Sequence, residues 1–126
     1  MNTNSYSQVI GSNLSYPINA GTLVYGSQYT DTKNNSASYG FGNDYGMPSD
    51  DIYYKFTLNV ATTVSISHCS SSIDTYVYLL SSTGSLLASN DDRGPLCPLT
   101  LQASLQVELS PGVYYVVSEG WITITG

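Results

Sequence analysis

The stretch Leu99-Thr-Leu-Gln-Ala-Ser-Leu-Gln-Val-Glu-Leu109 decides the fold class of this chain. Apolar residues occupy every second position from Leu99 to Leu109, and polar residues stand between them. Successive side chains of a β-strand point to opposite faces, so this pattern gives a strand one buried face and one solvated face. An α-helix would spread the same residues around its circumference. The stretch therefore predicts a strand over 99–109 in an antiparallel sheet.

Shorter segments along the chain show the same period of two. One set of side chains in 52–58 points one way and the other set points the opposite way: Ile52, Tyr54, Phe56 and Leu58 against Tyr53, Lys55 and Thr57. Residues 75–80 are apolar on both faces and indicate a central strand, with 85–89 as its hairpin partner. Further strands are predicted at 16–18, 22–25, 63–68, 113–117 and 121–125. About eight or nine short strands without a helix predict an all-β antiparallel β-sandwich of jelly-roll or immunoglobulin-like type.

The length of 126 residues predicts a single domain, residues 1–126, and the 41% hydrophobic residues, including 12 Tyr, are enough for one core. Residues 1–14 form a polar N-terminal segment, and residues 27–50 form a long loop rich in Gly, Asn and Asp. Loops of this length in small domains are uncommon and often functional. The loop is therefore a candidate for a binding site or a metal site.

The charge of the chain is low and acidic, with a formal net charge of −6 and only three bases: Lys33, Lys55 and Arg93. This balance excludes nucleic acid as an expected partner, because phosphate binding needs clustered Lys and Arg. No apolar run reaches the roughly 18 residues of a membrane span, and Met1 to Ser5 do not form a signal peptide. The acidic balance suits a cation where carboxylates cluster, and six lie in or beside predicted turns: Asp44, Asp50, Asp51, Asp74, Asp91 and Asp92.

The two cysteines, Cys69 and Cys97, are either bridged in an exported protein or reduced and buried in a cytosolic one. The scarcity of Lys and Glu favours the bridged, exported form. We therefore expect a secreted or cell-surface protein.

Three stretches carry a resemblance to a known family. They are Pro48-Ser-Asp-Asp-Ile-Tyr-Tyr-Lys-Phe-Thr-Leu58, Ser72-Ile-Asp-Thr-Tyr-Val-Tyr-Leu-Leu-Ser-Ser-Thr-Gly-Ser-Leu-Leu-Ala-Ser-Asn-Asp-Asp92 and Leu109-Ser-Pro-Gly-Val-Tyr-Tyr-Val-Val-Ser-Glu-Gly120. Together they resemble the bacterial pre-peptidase C-terminal domain, to which the collagen-binding domains of clostridial collagenases are similar. The resemblance covers about residues 48 to 120. It implies a secreted, non-catalytic β-sandwich attached to a larger parent protein.

The resemblance also implies a calcium site, since some members of the family bind calcium through an acidic, Asn-rich segment and the Asp residues that open a strand. The corresponding residues here are Asp31, Asn34, Asn35, Asp50 and Asp51. Their oxygens are the ligands that calcium prefers, although Asp and Asn also cap turns with their own side chains. A second group, Asn90, Asp91 and Asp92, is either a further metal site or a polar turn, and the turn explains it adequately.

The tyrosines suggest a binding surface. Tyr53, Tyr114 and either Tyr76 or Tyr78 lie opposite the more apolar strand positions, so they could form an exposed face for sugars or extended peptides. The alternative is that Tyr simply suits half-buried strands. His68 lies beside Cys69, but alternation places the two side chains on opposite faces, which argues against a catalytic dyad. We expect no enzyme.

Together with these patterns, the resemblance implies a non-catalytic accessory domain of an exported bacterial protein, stabilised by calcium, that attaches its parent to an extracellular polymer or a cell surface. Its partners would be an extracellular polysaccharide, a fibrous protein or neighbouring domains of the parent. Two alternatives stay open. One is a carbohydrate-binding module, and the other is a structural subunit that assembles through its edge strands.

Overall fold

A computed structural model describes residues 9–36, 39–43, 45–46, 48–121 and 125–126. The described residues contain seven strands and no helix. The strands are β1 (Ile18–Leu23), β2 (Ile52–Leu58), β3 (Thr62–Ser67), β4 (Thr75–Leu80), β5 (Leu86–Asn90), β6 (Ser104–Leu109) and β7 (Gly112–Gly120). The all-β prediction is confirmed, whereas the predicted count of eight or nine strands is too high for the described residues.

The strands form two sheets that face each other like a sandwich, without a closed barrel. Five strands make the larger sheet in the order β1-β2-β7-β4-β5, and β3 pairs with β6 in a two-stranded sheet. Apart from β1 and β2, which run parallel, the neighbouring strands are antiparallel. The predicted β4–β5 hairpin is confirmed, and β4 lies between β7 and β5 as an interior strand.

The main core lies between the sheets, where β2 and β7 present every second side chain. Phe56, Leu58 and Val116 meet Val64 of β3 and Leu105 of β6 there. Each of these side chains is buried. The alternation predicted for 52–58 is therefore confirmed on its inner side.

The outer face of the larger sheet is covered as well. Tyr53, Tyr78, Leu80 and Val117 form a second buried cluster against Leu14 and Tyr45. The Tyr53 amide donates to the Gly11 carbonyl at 2.8 Å, and the Asp51 amide donates to the Gly42 carbonyl at 2.7 Å. These bonds hold residues 9–14 and part of the 27–50 loop against the sheet, so each of the strands β2, β4 and β7 has buried side chains on the outer face as well.

The predicted strand over 99–109 is too long at its start. Leu99 is 92% exposed and Leu101 is 52% exposed, and β6 begins only at Ser104. The ladder ends because β3 stops at Ser67 and the chain turns to Cys69, which forms a disulfide with Cys97. The preceding loop instead bonds to the start of β4, with the Thr75 amide donating to the Leu101 carbonyl at 3.4 Å.

The first edge strand also differs from the sequence prediction. The separate strands predicted at 16–18 and 22–25 are replaced by one edge strand, β1, which lies parallel to β2 and has an irregularity between Asn19 and Gly21. The strand predicted at 121–125 falls mostly on 122–124, outside the described residues, as does Asp44. Among the described residues, no helix has the length and apolar character to cross a membrane.

Candidate metal centre

The first predicted calcium ligand, Asp31, already has two partners within the protein. Its carboxylate accepts hydrogen bonds from Lys33 Nζ at 3.0 Å and from the Tyr54 hydroxyl at 2.9 Å. Partial burial opposes ionisation of Asp31, but the bonds from Lys33 and Tyr54 outweigh it and lower the pKa of this carboxyl. Burial and the bond to Asp31 raise the pKa of Tyr54. Asp31 is therefore held as a carboxylate by protein donors.

The other members of this predicted set stabilise loops. Asn34 Oδ1 accepts from the Ser36 amide and hydroxyl at 2.9 and 2.6 Å. Asn35 is buried, donates to the Asp50 carbonyl at 2.8 Å and accepts from the Gly126 amide at 3.0 Å. The fully buried Asp51 accepts from the Tyr45 amide at 2.7 Å. The three carboxylates of the set, Asp31, Asp50 and Asp51, do not form a group within 4.8 Å.

Carboxylates converge elsewhere, at Asp74, Asp91 and Asp92. One carboxylate oxygen of each residue lies within 4.8 Å of the other two. Among the described residues, this is the one place where three acidic side chains come this close together. Asp74 immediately precedes β4, while Asp91 and Asp92 immediately follow β5. Because β4 and β5 are antiparallel, with Val77 opposite Asn90, the start of one strand and the end of the other lie together. We call these three residues the acidic triad.

The backbone around the triad is fixed by neutral groups. Asn90 is not aimed at the triad, because its Oδ1 accepts from the Ser104 amide at 3.0 Å and its Nδ2 donates to the Asp92 carbonyl at 3.3 Å. A Cβ on Gly94 would collide with Ser104 and with Asn90 Oδ1, so only glycine lets the turn pack this closely. Asn90 therefore positions the turn, as the polar-turn interpretation of this segment predicts.

The triad is electrostatically unfavourable when all three groups are ionised. Burial, followed by the neighbouring Asp92 and Asp74, raises the pKa of Asp91 to about 6. Burial and Asp92 also raise the pKa of Asp74. Carboxylates this close either share protons or are neutralised by a cation. The Oδ1 atom of each of the three residues is enclosed and accepts no hydrogen bond from a donor group of the described residues. Asp92 is close enough to Asp74 and to Asp91 for a shared proton to join the carboxyl groups when no cation is bound.

This geometry fits a hard divalent cation. Oxygens bound to one calcium ion at roughly 2.3–2.6 Å are at most about 5 Å apart, which matches the spacing of the triad. The sequence indicates Asp91 and Asp92 as part of a metal site or a turn, but it places Asp74 in neither ligand set. The register of the β4–β5 hairpin is the signal that could have found it, because it joins positions 74 and 91–92.

The predicted tyrosine surface is not present as expected. Tyr53 is 3% exposed and lies in the buried outer cluster that packs against Leu14, so the expectation of an exposed Tyr53 is wrong. Tyr114 faces the opposite side of the sheet, stacks on Phe56 with ring centroids 5.5 Å apart, and donates to the Ser110 carbonyl at 2.7 Å. Tyr76 and Tyr78 stack in the outer cluster. Tyr53 and Tyr114 therefore share no binding face.

Three comparisons set the chain beside known proteins. A scan against protein-family models, a search of curated proteins and a search of solved structures each found no match. The resemblance to the pre-peptidase C-terminal domain stays a prediction, and so does the calcium that it implies.

Proposed function

We propose that this chain is a non-catalytic binding module of an exported protein, and that a calcium ion held at the acidic triad stabilises it. The observation that supports the metal is the convergence of Asp74, Asp91 and Asp92, each with one enclosed oxygen that meets no donor group of the described residues. The Cys69–Cys97 disulfide supports export, since such bridges persist in oxidising compartments. The ligands predicted from the sequence, Asp31, Asn34, Asn35, Asp50 and Asp51, act in this proposal as loop-stabilising groups.

Calcium would act here by neutralising charge and joining chain segments. Asp74 immediately precedes β4, and Asp91 and Asp92 begin the turn that leads toward β6. An ion shared by these carboxylates would tie the two ends of the β4–β5 hairpin together and remove the repulsion described above. The module would then present a fixed end of the sandwich.

The experiment is thermal unfolding of the wild type, Asp92→Asn and Asp50→Asn, each in calcium and in excess chelator. At a calcium concentration about a hundred times the dissociation constant, linkage adds about 2.7 kcal/mol and raises Tm on the order of 10 °C. Asp92 neighbours both Asp74 and Asp91, so Asp92→Asn relieves repulsion. We expect this variant to be more stable than wild type in chelator and to lose the calcium shift.

Asp50→Asn is the matched control, because it removes a carboxylate of the alternative ligand set. We expect it to keep the full calcium shift. A second readout uses terbium as a luminescent substitute for calcium, sensitised by Trp121, the single Trp, whose amide donates to the Asp74 carbonyl at 2.9 Å. If the calcium-induced increase in Tm persists in Asp92→Asn and is absent in Asp50→Asn, the metal binds at the set predicted from the sequence and not at the acidic triad. That set is Asp31, Asn34, Asn35, Asp50 and Asp51. No shift and no terbium signal in wild type would refute the metal.

A further inference from the structure

A cleft of about 860 Å³ opens between the two sheets beside β3. Its floor is the inner face of β2, with Tyr54 and Phe56, and one wall is β3. The opposite wall is the segment from Val24 to Lys33. All six residues of β3 line this cleft, from both faces of the strand, so the edge of β3 itself faces the open space.

The hydrogen-bonding pattern shows which backbone groups lie on this edge. The His68 amide donates to the Ala103 carbonyl at 2.9 Å, and this pair continues the register in which Ser67 lies opposite Ser104. Directly bonded pairs alternate with unbonded pairs in an antiparallel ladder, so even-numbered residues of β3 bond to β6. The amides and carbonyls of the odd-numbered residues, Thr63, Ser65 and Ser67, consequently point toward the cleft.

This edge belongs to a sheet that is narrower than the one it faces. Two strands, β3 and β6, lie over a sheet of five. The Val24 to Lys33 segment does not replace a third strand, because its backbone bond among the described residues is local, from the Ser27 amide to the Val24 carbonyl at 2.9 Å. The cleft is the space that a third strand beside β3 would fill.

We propose that an extended segment of a partner polypeptide binds this cleft by adding to β3 as a third strand. Backbone groups on one edge of a strand recur about every 6.8 Å, and an extended peptide presents complementary groups at the same spacing. Alternate apolar side chains of the partner would pack on the half-buried Tyr54 and Ile66, while the remaining side chains would face solvent as Thr63 and Ser65 do. The inference rests on the proposed binding role but not on calcium.

The negative charge of the protein indicates which charge a partner peptide should carry. The chain carries a net charge of −6, and the exposed Glu108 lies opposite Thr63 on β6. At the other wall, Lys33 is already paired with Asp31 at 3.0 Å. An acidic peptide would therefore be repelled and a basic one attracted, whereas a neutral peptide would be neither. The partner segment is thus an extended strand with alternating apolar residues, few acids, and Thr or Lys at its solvated positions.

The test uses synthetic peptides of about ten residues, long enough to span β3, in which apolar residues alternate with Thr and Lys. Binding is measured to wild type, Ser65→Pro and Ser65→Ala. Proline removes the Ser65 amide from the free edge and spares the bonds to β6, so edge strands tolerate it. Ser65→Ala keeps the amide and controls for the weak 3.3 Å bond from Gln106 Nε2 to the Ser65 hydroxyl. We expect about tenfold weaker binding to Ser65→Pro and unchanged binding to Ser65→Ala.

A second reagent leaves the protein unaltered in case Ser65→Pro disturbs the fold. Two peptides are compared, one N-methylated at its odd-numbered residues and one at its even-numbered residues. One of the two should bind and the other should not, because strand addition uses the backbone amides on only one edge of the ligand. Equal binding of the two N-methylated peptides, equal binding to Ser65→Pro, no peptide binding, or retention on oligosaccharides in place of peptides would each overturn the inference. Each measurement is made in calcium and in chelator, so that loss of the metal site and loss of the peptide site are distinguished.

Discussion

At the residue scale, His68 should make stability depend on pH. Burial between the sheets lowers the pKa of His68 to about 4, and its Nε2 lies 2.8 Å from the Ser118 hydroxyl. The unfolded chain binds the proton with a pKa of about 6.5. The contribution of neutral His68 to the free energy of unfolding is therefore fully present above about pH 6.5. It decreases by up to about 3 kcal/mol as the pH falls through that value toward 4.

The measurement is urea unfolding of wild type and His68→Gln at neutral pH and near pH 4.5. Glutamine can still bond to Ser118 but does not titrate in this range. Asp91 has the opposite effect on the pH dependence. Its pKa is raised in the folded state, so its contribution to the free energy of unfolding is lost as the pH rises through about 4 to 6. The Asp91 contribution is the same in wild type and in His68→Gln, so it cancels when the free energies of unfolding of the two proteins are subtracted. The same difference at both pH values would contradict a neutral, half-buried His68.

Gly46 supports a buried polar pair beneath the 27–50 loop. The Tyr78 hydroxyl donates to Glu119 Oε2 at 2.6 Å, and a Cβ on Gly46 would collide with both groups. Gly46 also has a φ of +61°, which favours glycine. We expect Gly46→Ala to reduce the free energy of unfolding by about 2–4 kcal/mol in urea titrations.

Gly26 provides the matched control for Gly46. It has a φ of +84°, but a Cβ there meets nothing within 4 Å. Gly26→Ala should therefore cost only the backbone term, about 1 kcal/mol. Equal costs for the two substitutions would mean that the Tyr78–Glu119 pair tolerates the added methyl group.

At the scale of the elements, the alternating stretch 99–109 contains a loop followed by the strand β6. Leu105 lies in β6 and is 7% exposed, whereas Leu99 lies in the preceding loop and is 92% exposed. We expect Leu105→Ala to lower the free energy of unfolding by about 2–4 kcal/mol and Leu99→Ala to change it by less than about 0.5 kcal/mol. Urea unfolding of both variants tests this. A large effect of Leu99→Ala would require that residues 99–101 also pack in the core.

The same comparison explains what the sequence could and could not predict. Alternation in 52–58 correctly predicted the inner and outer faces of β2, because both faces have distinct neighbours. It could not reveal that the outer face is covered, since that depends on the bond from Tyr53 to Gly11, more than forty positions away in the sequence. Turn composition pointed to Asp91 and Asp92. The sequence also predicts the β4–β5 hairpin, but Asp74 joins Asp91 and Asp92 only when that pairing is extended beyond the predicted strands.

At the scale of the whole molecule, the disulfide and the acidic triad are parts of one ring. The Cys69–Cys97 bridge closes a loop with a sequence separation of 28, and Asp74, Asp91 and Asp92 all lie inside it. In the chain-entropy treatment, a ring of this size stabilises the fold by about 3.5 kcal/mol. The bridge also holds the loop whose Thr100 carbonyl accepts from the Arg93 amide at 3.0 Å, next to the triad.

Removing the bridge should therefore weaken calcium binding as well as stability. In the double variant Cys69→Ser with Cys97→Ser, we expect Tm in chelator to fall and the calcium dissociation constant, measured by terbium displacement, to rise several-fold. The second effect follows because Asp91 and Asp92 lose a covalent restraint that orders them before the ion arrives. A variant that is less stable but binds calcium with unchanged affinity would show that the turn around Asn90 and Gly94 alone positions the carboxylates. In that case the ring would stabilise the sandwich without shaping its metal site.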